Sequence, residues 1–79
     1  MTNKELFTAQ LEKEYSDLFL NNSEYAFAAS RTTPQALAQK MTESLANNTA
    51  NKDGEAIKRA CKSFGIKHTY AAIKEFLNK

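Results

Sequence analysis

The sequence of 79 residues has few of the residues from which disulfides, metal sites and phosphate loops are built. Its one cysteine, Cys61, cannot form an internal disulfide, and a single free thiol is typical of a reducing compartment. Together with the one histidine, His68, it falls short of the four N or S ligands of a structural zinc site. Two glycines cannot form a glycine-rich phosphate loop. We therefore expect no metal and no cofactor.

Long apolar runs are missing as well. No stretch approaches the roughly 20 apolar residues that a transmembrane helix needs. The first residues, Met1 to Glu5, lack the basic-then-apolar order of a signal peptide. Together with the single thiol, these features predict a cytoplasmic protein without membrane contact.

Catalytic groups are few and badly arranged for an enzyme. Cys61 and His68 could pair as nucleophile and base, but Cys61 lies on an apolar helical stripe, where a buried structural cysteine is the usual interpretation. The oxygen-rich segment from Thr49 to Gly54 is similar to the start of a calcium loop, but its twelfth position is Ala60 and not a bidentate glutamate. We expect a protein that is not an enzyme and that acts by binding.

Helical periodicity runs along almost the whole chain, and strand alternation is absent. The first predicted helix covers about residues 3–20, with an apolar stripe of Phe7, Leu11, Tyr15 and Leu18 that Leu6 and Phe19 widen. A short second helix over residues 24–30 is capped by Ser23, and its inward residues are Tyr25, Phe27 and the alanines.

Thr33-Pro34 is a strong start signal for a third helix, because Thr33 can accept an unpaired N–H and Pro34 suits the first helical position. This helix runs to about residue 46, and its predicted stripe is Leu37, Met41 and Leu45. The polar residues 47–52 are expected to form the one extended loop.

Two short helices complete the predicted fold. Asp53 is expected to cap a fourth helix over residues 54–64, Gly65 to end it in a left-handed conformation, and Ile66 to add an apolar contact. Thr69 can cap a fifth helix. The inward residues of the two helices are Ile57, Ala60, Cys61, Phe64, Tyr70, Ile73, Phe76 and Leu77. The predicted fold class is all-α: one domain over residues 1–79, a compact bundle of four to five short helices.

Positive charge is concentrated in the last third of the chain. Residues 1–49 carry four basic and six acidic residues, a net charge of −2, whereas residues 50–79 carry seven basic and three acidic residues, a net charge of +4. We expect Lys58, Arg59, Lys62 and Lys67 to form one exposed patch, with His68 and Lys74 nearby.

The last two predicted helices resemble a DNA-binding helix-turn-helix, because two short helices flank a glycine turn. Gly65 aligns with the turn glycine, which places Cys61 at the small buried position. The second helix departs from the pattern, since its late apolar position falls on Lys74 unless the turn is about two residues longer. That helix also lacks Arg and Gln, the usual base readers.

Residues 50–62 and 65–74, together with residues 24–26 and 31–34, resemble small proteins encoded by bacteriophages and mobile elements. The resemblance covers about the last two-thirds of the chain and carries no known catalytic or binding residue. It implies the context of phage accessory proteins, which often bind host proteins or nucleic acid. Some of them, such as anti-CRISPR proteins, block host defence.

The sequence thus leads to one functional hypothesis and two alternatives. The hypothesis is a phage-type accessory binding protein whose C-terminal basic residues contact nucleic acid or an acidic protein surface. The first alternative is an inhibitor that docks on a host nucleic-acid or defence complex. The second is a small structural subunit that self-associates, because a core this thin often needs such help. The candidate binding residues are Lys58, Arg59, Lys62, Lys67, His68 and Lys74.

Overall fold

The computed structural model describes all 79 residues and contains five α-helices, one short 3₁₀ helix and no strand. In chain order the elements are α1 (Asn3–Asn21), a 3₁₀ helix (Ser23–Tyr25), α2 (Ala26–Arg31), α3 (Pro34–Ala46), α4 (Glu55–Phe64) and α5 (Tyr70–Leu77). The all-α class and the predicted order of helices are confirmed. None of the helices combines the length and the apolar content needed to cross a membrane.

Helix α1 forms the centre of the bundle, because α3, α4 and α5 all pack against it. Of the two residues expected to widen its stripe, Phe19 is partly buried, whereas Leu6 is 38% exposed. The stripe itself is confirmed, and the buried residues of α1 are Phe7, Leu11, Tyr15 and Leu18.

Helix α3 presents a different face to the core than its leucine and methionine spacing predicts. Leu45 is buried as expected, but Leu37 and Met41 are only partly buried. The Thr8 hydroxyl of α1 donates a hydrogen bond to Thr42 Oγ1 at 2.9 Å, which places the Thr42 side of α3 against α1. Small residues on this side let two helices approach closely. The other buried residues of α3 are all small: Ala38, Thr42 and Ala46.

Three phenylalanines connect α4 and α5 to α1. The ring centroids of Phe64 and Phe76 lie 5.0 Å apart, and the Phe7 ring lies 6.0 Å from Phe64 and 6.2 Å from Phe76. These spacings are favourable for aromatic pairs. Phe7 of α1 is therefore a shared packing point for the two C-terminal helices.

Helix α2 contributes no buried residue, so the inward orientation predicted for Phe27 is wrong. Tyr25 of the preceding 3₁₀ helix takes the inward place, with its ring 6.3 Å from Tyr15 and 6.2 Å from Phe19. Two residues further on, the chain has turned by about 200° around a helix axis. Phe27 therefore faces solvent with 70% of its surface exposed, and the Arg31 guanidinium lies 4.7 Å from its ring centroid.

Several predicted helix ends are confirmed. Thr33 Oγ1 accepts a hydrogen bond from the Ala36 N–H at 3.1 Å, and Thr69 caps α5 in the same way. Gly65 has a left-handed φ of 67°, and the Ile66 N–H donates to the Cys61 carbonyl at 3.0 Å. This pair of features is the glycine stop that the sequence predicts.

Two predicted caps are wrong. Asn22, and not Ser23, caps the 3₁₀ helix, since its Oδ1 accepts from the Glu24 N–H at 3.0 Å. The residue that begins α4 is Gly54, which has no side chain to accept a hydrogen bond. The Asp53 carboxylate instead lies 2.9 Å from Lys52 Nζ, and this contact holds the pKa of Asp53 below its usual value.

Candidate functional site

The surface of α4 that faces away from the core carries most of the predicted binding residues. Lys58 and Lys62 are one turn apart, which is about 6 Å along the helix axis. Like charges at this spacing repel each other unless an anion neutralises them. The exposed residues on this side of α4 are Glu55, Lys58, Arg59 and Lys62, opposite the buried Ala56, Ile57, Ala60 and Cys61.

Arg59 makes ion pairs within the protein, unlike the lysines that were predicted to bind with it. Its Nη1 lies 3.1 Å from Asp17 Oδ2 and 3.9 Å from Glu14 Oε2, and its Nε lies 3.2 Å from Glu55 Oε1. The hydrogen bond to Asp17 raises the pKa of the guanidinium above its ordinary value. Although 41% of its side chain is exposed, Arg59 links α4 to α1. Sequence analysis missed this because Asp17 lies 42 residues away along the chain.

His68 is also used by the fold. Its ring is partly buried, and its Nε2 donates a hydrogen bond to the Lys52 backbone carbonyl. Beside it, the Tyr70 hydroxyl donates to the Ala50 carbonyl, and the Lys52 ammonium lies 5.7 Å from the centroid of the Tyr70 ring. These contacts fasten the loop before α4 to the start of α5. We therefore assign His68 a structural role in this loop.

The remaining four candidates are exposed and have no ion-pair or hydrogen-bond partner for their ammonium groups. Lys58 and Lys62 share one side of α4, Lys67 lies in the turn that follows Gly65, and Lys74 lies on α5. We call these four residues, Lys58, Lys62, Lys67 and Lys74, the C-terminal lysine set. By contrast, Lys4, Lys52, Arg59 and Lys79 each lie within 4.0 Å of a carboxylate.

Cys61 and His68 do not form a thiol–imidazole pair. Cys61 is buried, and burial raises the pKa of its thiol, so the reactive thiolate is disfavoured. The His68 ring is directed at the Lys52 carbonyl instead. No three His, Cys, Asp or Glu side chains are arranged so that they could hold a metal ion.

No protein family, curated protein or solved structure matches the chain. The resemblance to phage and mobile-element proteins stays a prediction. The function is therefore inferred from the chemistry of the exposed surface.

Proposed function

We propose that this chain is a cytoplasmic, non-enzymatic binding module of the phage-accessory type, and that its C-terminal lysine set contacts the phosphate backbone of nucleic acid. The observation that carries the proposal is that none of these four ammonium groups has a carboxylate oxygen within 4.0 Å. An ammonium group is a strongly hydrated point charge with three donors, which suits phosphate oxygens.

The position of the set within the fold supports the same function. Lys58 and Lys62 lie opposite the buried side of α4, so the fold does not depend on their side chains. Their mutual repulsion disappears when a polyanion lies against this surface. The net charge of +4 on residues 50–79 adds a field that attracts such a polyanion.

A second candidate function is docking on an acidic surface of a host protein complex, as an inhibitor would. The observation that favours it is Phe27, which is 70% exposed and lies beneath the Arg31 guanidinium. Aromatic and arginine side chains are enriched at the centres of protein interfaces. A phenylalanine ring offers no donor for phosphate oxygens.

Fluorescence anisotropy with a labelled duplex over a range of salt concentrations tests the leading proposal. Four lysine–phosphate contacts predict a slope of about −3.6 for log K against log salt. The variant K58A/K62A should lower the magnitude of that slope by about 1.8.

The matched control is K13A/K40A, which removes the same charge from two exposed lysines of α1 and α3 that lack ion pairs. We expect it to bind the duplex with the wild-type slope. Equal losses of duplex affinity in the two variants would mean that net charge alone drives binding. An absence of duplex binding at low salt, together with capture of an acidic host protein through Phe27, would favour the second candidate.

A further inference from the structure

We infer that the C-terminal lysine set binds double-stranded nucleic acid through its phosphates alone, without reading bases and without stacking on them. The inference depends on the proposed nucleic-acid function and specifies its ligand. It follows from the contacts that the neighbouring arginine, asparagine and aromatic side chains make within the protein.

The arginine and asparagine side chains near the lysine set each make hydrogen bonds within the protein. Base readout relies on bidentate contacts, which Arg, Asn and Gln make with a fixed geometry, whereas the lysine ammonium group can contact guanine but is a point charge without such a fork. Residues 50–79 contain one arginine, two asparagines and no glutamine. Arg59 pairs with Asp17 and Glu55, Asn51 Oδ1 accepts from the Asp53 N–H at 2.9 Å, and Asn78 Nδ2 donates to the Lys74 carbonyl at 2.9 Å.

The aromatic rings in the same part of the chain are also engaged. Single-stranded binding proteins stack bases on exposed aromatic side chains. Phe64 and Phe76 are partly buried and pack against Phe7. Tyr70 is partly buried under Lys52, and its hydroxyl donates to the Ala50 carbonyl. The one exposed aromatic residue is Phe27, on α2. No stacking surface therefore accompanies the lysines.

A contact made only by charges favours the ligand with the highest charge density. Duplex DNA carries about one negative charge per 1.7 Å of axis, twice the density of one of its strands. Each neutralised phosphate contributes about 0.9 to the salt slope on a duplex and about 0.7 on a single strand. With equal affinities for the two ligands at 1 M salt, four contacts and this difference in slope give about six-fold tighter binding to the duplex at 0.1 M salt.

The test measures the affinity of the full chain for three labelled ligands at 0.1 M salt: two duplexes of unrelated sequence and one single strand of the same length. We expect the two duplexes to bind within about two-fold of each other and the single strand about six-fold more weakly. Phe27→Ala should leave the single-strand affinity unchanged, because that ring is not part of the contact.

Two kinds of result would overturn the inference while leaving the proposed function in place. One is a single strand that binds as tightly as the duplexes, and the other is a preference of more than about ten-fold for one duplex sequence, the size expected of base readout. Failure of all three ligands to bind at low salt would overturn the proposed function as well.

Discussion

The bundle core and the segment from Ser23 to Arg31 are both rich in apolar and aromatic residues, yet only the first is buried. The core joins α1, α3, α4 and α5 through 13 buried hydrophobic residues, whereas the segment contributes none. The difference comes from where the inward positions fall. Helix α2 has six residues, less than two turns, and none of them is buried. The inward aromatic residue of the segment is Tyr25, which lies in the 3₁₀ helix before α2. Apolar composition alone therefore does not bury a helix.

Truncating one phenylalanine in each region should give the largest difference in stability. Phe7 is fully buried among Phe64 and Phe76, so Phe7→Ala should lower the free energy of unfolding by about 3–5 kcal/mol. Phe27 faces solvent, and Phe27→Ala should change the free energy of unfolding by less than about 0.5 kcal/mol. Urea denaturation followed by circular dichroism measures both. A comparable loss in the two variants would mean that α2 belongs to the core.

Substitutions of the two glycines at the ends of α4 should give a smaller difference in stability. Gly65 has a left-handed φ of 67°, and an added Cβ would meet no neighbour there, so any cost of Gly65→Ala is backbone strain alone. We expect a loss of about 1–2 kcal/mol. Gly54 has an ordinary backbone, and its Cβ would make van der Waals contact with Ile57. Gly54 is also the N-cap of α4, where glycine is preferred to alanine, so Gly54→Ala should cost less than about 1 kcal/mol. Equal melting temperatures for the two variants would contradict the left-handed end of α4.

Helix caps should give the smallest contrast between the two regions. Thr33 caps the core helix α3, so Thr33→Ala should lower the free energy of unfolding by about 1 kcal/mol. Thermal unfolding measures this change. Ser23 begins the exposed segment, where Asn22 provides the cap, so Ser23→Ala should cost much less. A larger loss of stability for Ser23→Ala would mean that Ser23 is the cap and that the segment unfolds together with the core.

Much of the fold could be predicted because its signals are local. The stripe of α1, the Thr33 cap and the Gly65 stop depend on residues within a few positions of each other, and all three are confirmed. The orientation of α3 could not be predicted from its own spacing. It is set by close packing of Thr42 on Thr8, a contact 34 residues apart along the chain. The capping box between Thr2 and Glu5 was readable from the Thr-x-x-Glu spacing and was missed.

The candidate site also combines features that the local sequence predicts with features that depend on distant contacts. The exposure of Lys58 and Lys62 follows from helical phase, which is local, and the structure agrees. Arg59 lies about 100° around the helix from Lys58 and is ion-paired with Asp17 and Glu14 of α1. Which basic residue stays available therefore depends on the packing of α4 against α1, which no spacing within α4 indicates.

Amide chemical-shift mapping of the ¹⁵N-labelled chain during titration with a short duplex at low salt tests the central claim most directly. The account predicts shift changes confined to Lys58, Lys62, Lys67, Lys74 and their neighbours, which fade as salt rises. The amides of the segment from Ser23 to Arg31 should not move. Shift changes centred on Phe27, or none anywhere on the chain, would contradict the assignment of the C-terminal lysine set as the binding surface.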